Sequence, residues 1–514
     1  MKAYVFVKNA LILTGVSFVL RAIGIVFKVY LAGEIGAEGI GLYQLIFSCY
    51  IFASTFAASG ICTAVTRLVS ENTRGGRRGE KRIMAFAALC TLAIAAVWTA
   101  VMFFGAEWIA VFFIKDIRAV PAIRILSLSL AFVGMAACYR GYFIAKSKVG
   151  LSSGSQIIEQ IVRISVVILL IGAAAEKGLA YTCAVVMLGD TAAEILSCIL
   201  LYFGYRRELS RTPEGGMQAK GLLGKMVRIA LPITASKYLT SGLHTAENLL
   251  VPQGLQRTLT RKNSVALFGK LKGMALPLIF FPASFLGALS TLMIPEMARA
   301  RAERNKEKQI RSVEKIFGWT LIASILIAGI FAVQPHRIAE LVYHDRQVGD
   351  MIACLTPIIP FMYAESVVDG MLKGLNQQLQ SFWYNVVDSS LRVAAVLVVV
   401  PRFGMQGFLW IMIVSNILTS TLHSVRLFKI TETPFCLVEW VCKPVIFTAL
   451  GGWLGIQAAQ FFQNEMLSLI VQAAVHTAVF CLCEALFASK TTFGRQSAGK
   501  IGRKKACKLR RNML

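Results

Sequence analysis

The run from Asn9 to Gly33, NALILTGVSFVLRAIGIVFKVYLAG, constrains this chain more than any other. It is nearly unbroken hydrophobicity over about 25 residues, which at about 1.5 Å per residue crosses a bilayer core of roughly 30 Å. Arg21 and Lys28 nevertheless sit inside it, two helical turns apart on one face. A cation near the bilayer centre costs about 2.5–3.5 kcal/mol on insertion scales and normally faces a protein interior or a wet cavity. The run therefore predicts a membrane span that lines a cationic cavity. Snorkelling to the interface is the alternative, and it suits Lys28, nearer the helix end, better than Arg21.

The rest of the chain repeats the apolar theme. Its 514 residues are 56% hydrophobic, with a mean hydropathy of +0.65, too apolar for a soluble protein and long enough for a dozen or more spans. Fourteen apolar runs are expected as helices. The net charge of +27 does not point to nucleic acid, because the basic residues lie mostly in short loops and in the last stretch, Arg503 to Arg511. That distribution suits membrane topology and anionic headgroups. Arg74 to Arg82, Lys146 and Lys148, Arg206 to Lys220, Arg299 to Lys315 and Lys429 occupy alternate loops, which predicts cytoplasmic termini. Arg257 to Lys262 breaks the pattern, so that loop is either interfacial or the edges of spans seven and eight are misplaced. The first run is too long and too charged for a cleaved signal. The twelve cysteines sit mainly in apolar runs with no CxxC, and even Cys481 and Cys483 read as small buried residues.

An internal repeat emerges, without gaps in its longest stretch. Arg140 to Arg163 aligns on Asp369 to Arg392, placing Gly141 on Gly370, Glu159 on Asp388 and Arg163 on Arg392. Leu42-Tyr43 aligns on Leu267-Phe268, Leu68 to Glu71 on Met293 to Glu296, and Arg21 and Lys28 on Lys237 and His244. Recurrence in one order predicts two parallel, pseudo-symmetric six-helix lobes. The expected organisation is 1–210 for the first lobe, 211–435 for the second, 436–490 for an appended helix pair and 491–514 for a basic tail.

The charges within the spans fall into two groups. Glu159 with Arg163, and Asp388 with Arg392, are spaced i,i+4 and predict intrahelical pairs acting as locks or gates. Arg21, Lys28, Lys237, His244, Lys270 and Lys272 are the candidate cavity cations. Several unmatched cations call for an anion, and a diphosphate supplies about two charges and many acceptor oxygens. Pro232, Pro277, Pro282, Pro357 and Pro360 can each kink a span. No catalytic or metal site is expected: GxxxxGK[ST] and HExxH are missing, and Gly150 to Gly154 matches GxSxG only by chance at a helix junction.

Arg21 with Gly24, GAEGIGLYQL from Gly36 to Leu45, RGYF from Arg140 to Phe143, IIEQIVRIS from Ile157 to Ser165 and Leu231-Pro232 resemble the stage V sporulation protein B and MurJ-like branch of the multidrug/oligosaccharidyl-lipid/polysaccharide exporter superfamily. The resemblance covers about residues 5–430. It implies an all-α, fourteen-helix, alternating-access flippase for lipid-linked cell-wall precursors, chiefly lipid II, in a bacterial plasma membrane. It also implies cavity cations on spans one, two and eight and a lipid-tail groove at the last helix pair. Arg21 matches the pattern, whereas Gly33 stands where such proteins carry an arginine and Pro277 lies near their span-eight arginine. The expected partners are a lipid-linked diphosphate saccharide and membrane lipids, with a monomeric chain and no cofactor. A multidrug or cation antiporter, for which Asp190 and Glu194 would serve, is the first rival. A membrane glycosyltransferase or polymerase is the second, and the absence of any long loop argues against it.

Overall fold

The computed structural model describes residues 2–58, 60–71, 76–214 and 222–498; the tail cations Arg503 to Arg511, and Arg74 and Lys220, lie outside them. Among the described residues all regular structure is helical. Runs of Leu, Ile, Val, Ala and Phe settle this way because a helix satisfies its own backbone where a bilayer offers no water.

Nine of the helices among the described residues are long and apolar enough to cross a membrane, or ten if the bent pair Ile117–Ser127 and Leu130–Ala145 forms one span. Two physical causes keep this below fourteen. Phe18–Glu71 and Gln378–Thr431 run for 54 residues each, against the roughly 20 that one crossing needs. Gly36 (φ 65°, ψ 178°) interrupts the first, which Gly60 (φ 67°) breaks again, and Gly404 (φ 61°, ψ −145°) interrupts the second. In addition, Leu222–Leu255 intersperses Lys237, His244 and Glu247 among its apolar residues, and the stretch Arg261–Ala302 is broken into four helical pieces.

The backbone at Gly36 and Gly404 lies in a region essentially reserved for glycine. Gly404→Ala is therefore expected to cost about 1–3 kcal/mol, read as a lowered midpoint in thermal unfolding of the detergent-solubilised protein. Open space around the would-be Cβ makes the strain torsional rather than steric.

Helix starts follow the sequence closely. Asp116, Thr260, Asn305 and Asp345 each accept a backbone N–H from the first turn beyond them, the usual role of such residues at an N-cap. One apolar core runs from Phe27, Leu31, Ile40 and Leu45 through Phe268, Leu271 and Tyr363 to Phe408. A smaller core gathers Ile61, Leu68, Ile83, Tyr142 and Tyr205.

The segment following Gly36 lies directly against Arg261–Gly269 and the π-helical turn Lys270–Ala275. Gly41 sits on the Val265 carbonyl, and a Cβ on Gly269 would come within 2.9 Å of the Gly41 Cα. Small residues allow the two backbones to meet. The π turn precedes Pro277, which cannot donate to the Gly273 carbonyl, so the helix widens there.

Candidate functional site

Glu247, only 1% exposed on helix Leu222–Leu255, is the centre of a charge cluster. Its Oε1 lies 2.6 Å from Arg392 Nη2 and 3.5 Å from Lys272 Nζ, and its Oε2 lies 4.0 Å from His244 Nδ1. Three helices thus converge on one carboxylate. Lys272 also stands 5.7 Å above the Phe408 ring, a second favourable seat for an ammonium. This corrects two expectations. Arg392 does not pair with Asp388 along its own helix; Asp388 instead accepts a 2.6 Å hydrogen bond from Ser415, and the guanidinium reaches across to the more deeply buried Glu247. Nor is Lys272 unmatched.

The first half holds a second cluster. Arg163 contacts Glu159 at 3.3 Å, hydrogen-bonds Gln160 at 2.9 Å and pairs with Asp190 on the next helix. Glu159 also receives Arg140 at 2.7 Å. The i,i+4 contact is therefore one edge of a network across three helices. Glu194 Oε2 is buried there without a hydrogen-bond partner among the described residues.

The remaining cations divide. Arg21 is exposed, one turn beyond Phe18, which stacks on Phe281 at the break before Pro282. Lys28 is half-buried and Lys237 exposed, and neither has an ion-pair partner among the described residues. Lys270, expected to be unmatched, is paired with Asp345 at 2.6 Å and hydrogen-bonds Gln347 at 3.0 Å. The capping position of Asp345 holds its carboxylate beside the π turn.

Near Gly36 a third cluster joins distant parts of the chain. Arg118 bridges Asp116 at 2.8 Å and Glu38 at 2.7 Å, while Arg261 approaches Asp116 at 3.5 Å and Lys262 approaches Glu38 at 3.9 Å. Burial opposes ionisation of Asp116, but the hydrogen bonds and charge of Arg118, with Arg261 beside it, hold its pKa below the ordinary carboxylate value. The unexpectedly basic loop before Arg261 thus meets two acids. Further along, Thr245 Oγ1 donates to the Ser48 carbonyl at 3.1 Å, Asn248 donates to Ser48 Oγ at 3.1 Å, and Phe56 stacks on Tyr238 at 3.7 Å. Beside this seam lies an apolar cavity of about 590 Å³ walled by Phe52, Trp98, Trp108, Phe113 and Leu249, with none of the candidate cations in its lining.

Residues 6–251 match the model of the polysaccharide biosynthesis protein family. The chain is 22% identical to stage V sporulation protein B of Bacillus subtilis (strain 168) over 94% of its own length and 95% of that relative's. The chain is thus similar to the polysaccharide biosynthesis family over nearly half its length and to the sporulation protein over almost all of it. Another similar protein is the lipid II flippase MurJ of the same bacterium, 26% identical over 30% of each chain. Among solved structures, the inward closed conformation of lipid II flippase MurJ superposes with a TM-score of 0.73 at 14% identity, covering 94% of this chain and 100% of that one. An inward-facing multidrug transporter of the superfamily gives 0.62 at 12% identity, covering 83% and 100%. In this chain, sequence spacing missed Glu247, Asp345, Glu38 and Asp116 as organising acids. A lone acid inside an apolar run was the available signal for Glu247.

Proposed function

We infer that this chain is an alternating-access flippase that moves an anionic lipid-linked cell-wall or polysaccharide precursor, of the undecaprenyl diphosphate sugar type, from the cytoplasmic to the outer leaflet. One observation carries the reading: four cations of the spans have one paired carboxylate between them among the described residues. Lys28 and Lys237 lack an ion-pair partner among the described residues, and Lys272 and Arg392 share the single carboxylate of Glu247. Such an excess in low dielectric is stabilised by an arriving anion. The name of the MurJ relative, a lipid II flippase, points to the same class of cargo.

The finer architecture belongs to this reading. Dividing the two 54-residue helices at Gly36 and Gly404, taking the bent pair Ile117–Ser127 and Leu130–Ala145 as one span, and counting Leu222–Leu255 and the broken Arg261–Ala302 stretch as spans leads to fourteen crossings. Two six-helix lobes and a final pair, with both termini cytoplasmic, accommodate them. Glycines at φ 99° (Gly178) and 61° (Gly404) begin the helices that follow Arg163 and Arg392, which favours the repeat. Gly36 then lies at the outer face, so the Asp116–Arg118–Glu38 cluster and the Gly41–Val265 contact seal that side. The headgroup enters from the cytoplasm while the polyprenyl chain stays in lipid, and the lobes rock about the site. With the cell interior negative, outward movement of a net anion is favoured by about 2.3 kcal/mol per charge per 100 mV, so no ATP motif is required.

The test is reconstitution into liposomes with a fluorescent lipid-linked diphosphate sugar. Arg21→Ala and Lys237→Ala are each expected to slow its appearance in the opposite leaflet by roughly 10- to 150-fold, the loss of one charge-assisted contact worth roughly 1.5–3 kcal/mol. Unchanged rates in both would remove the cationic site from the account.

A further inference from the structure

We propose that Glu247 is a positioning residue that stands in for the cargo's phosphate: it holds Lys272 when the carrier is empty and yields that lysine to the diphosphate when cargo binds. The inference rests on the flippase reading and adds to it an internal competitor for the anion site.

The geometry separates the two cations that Glu247 holds. Arg392 is the firm partner, at 2.6 Å with its side chain 14% exposed. Lys272 is the loose one, at 3.5 Å and 20% exposed. The ammonium already has another seat over Phe408, so it can leave the carboxylate without becoming wholly unsupported. It also sits on the π-helical turn Lys270–Ala275, whose widened ladder can be reset locally, a feature common at functional sites. His244, 58% exposed beside the same carboxylate, marks the side from which an anion can approach. Lys272 and Arg392 share the one Oε1 of Glu247, so neither cation has the carboxylate to itself. A diphosphate offers the lysine more acceptor oxygens than the shared Glu247 does.

An exchange of partners also serves release. Once the lobes turn, Glu247 can reclaim Lys272 and expel the phosphate, so the carboxylate weakens binding and speeds turnover. A merely structural acid would support both. Lys270, fixed by Asp345 at 2.6 Å, anchors the other end of the π turn and leaves Lys272 as its mobile charge.

The test uses the full chain, in detergent for binding of a short-chain isoprenyl diphosphate and in liposomes for flipping of a lipid-linked diphosphate sugar. Glu247→Gln is expected to bind the isoprenyl diphosphate about fivefold or more tightly, the low end of a typical coupling between two sites, while flipping slows about tenfold at saturating substrate. Glu247→Gln with Lys272→Met should abolish the gain. Parallel loss of affinity and rate in Glu247→Gln, or no change in either, overturns the proposal. If Glu247→Gln fails to fold, Lys272→Met alone decides: Arg392 still satisfies Glu247, and binding should weaken about fivefold, whereas unchanged binding overturns the idea. A wild-type chain that neither binds nor flips these lipids defeats the flippase reading itself, an outcome distinct from a wild type that works and a Glu247 variant that behaves like it.

Discussion

Replacing Arg163 with methionine is expected to cost about 3–5 kcal/mol of folding stability, the usual penalty for breaking a buried ion pair by removing one partner. The side chains concerned are 23%, 14% and 6% exposed for Arg163, Glu159 and Asp190. Glu159 would retain Arg140 at 2.7 Å. Asp190 would keep no cation among the described residues, with its Oδ2 already lacking a hydrogen-bond partner there. Methionine restores the volume but not the charge, so the loss reports electrostatics rather than a cavity. Asp190→Asn in the same chain removes the orphaned anion and should recover about half or more of the penalty, a coupling of the size found for residues in contact. Thermal unfolding in detergent of the two single variants and the double variant measures it. Additive losses would mean that Arg163 and Asp190 do not share a dehydrated pair.

The Arg163 network shows what a sequence can and cannot disclose. Its Glu159 edge was legible because i,i+4 residues on one helix must be neighbours. The same rule misassigned Arg392, since a local spacing cannot reveal that Glu247, far back in the chain, is deeper and nearer than Asp388. The pairing of Lys270 was hidden for a similar reason: its partner Asp345 follows a different span and is oriented by its own capping contact with Gln347 N at 2.9 Å. Hydropathy disclosed an all-helical membrane protein because a span's length is fixed by the bilayer. It could not show that the turns at Gly36 and Gly404 are so tight that helical pairing continues through them. The anomalous basic loop was legible as a conflict with topology, and its resolution needed the positions of Glu38 and Asp116.

Placing leucine at Gly41 should pry apart the seam between the segment after Gly36 and the helix Arg261–Gly269. Gly41 lies against the Val265 carbonyl, and the neighbouring Gly269 faces the Ala37 carbonyl and the Gly41 backbone. Backbone, unlike the end of a flexible side chain, cannot step aside. Overpacking of this kind typically costs about 1–3 kcal/mol, equivalent to roughly a 5–150-fold change in the ratio of closed to open seam. Hydrogen exchange should accelerate by that factor in the segments 37–45 and 261–275 while remaining unchanged in 443–459. Neutralising Glu38 and Asp116 in the charge cluster alongside should do less. Their partners Arg118, Arg261 and Lys262 are 38%, 42% and 76% exposed, so solvent screens much of each interaction. The order of the two effects therefore separates steric from ionic control of this face. If the Gly41→Leu chain exchanges no faster than wild type, the glycine contact does not set the closure. Equal acceleration in both variants would instead assign closure to the ions, with the small residues merely allowing the charged groups to meet.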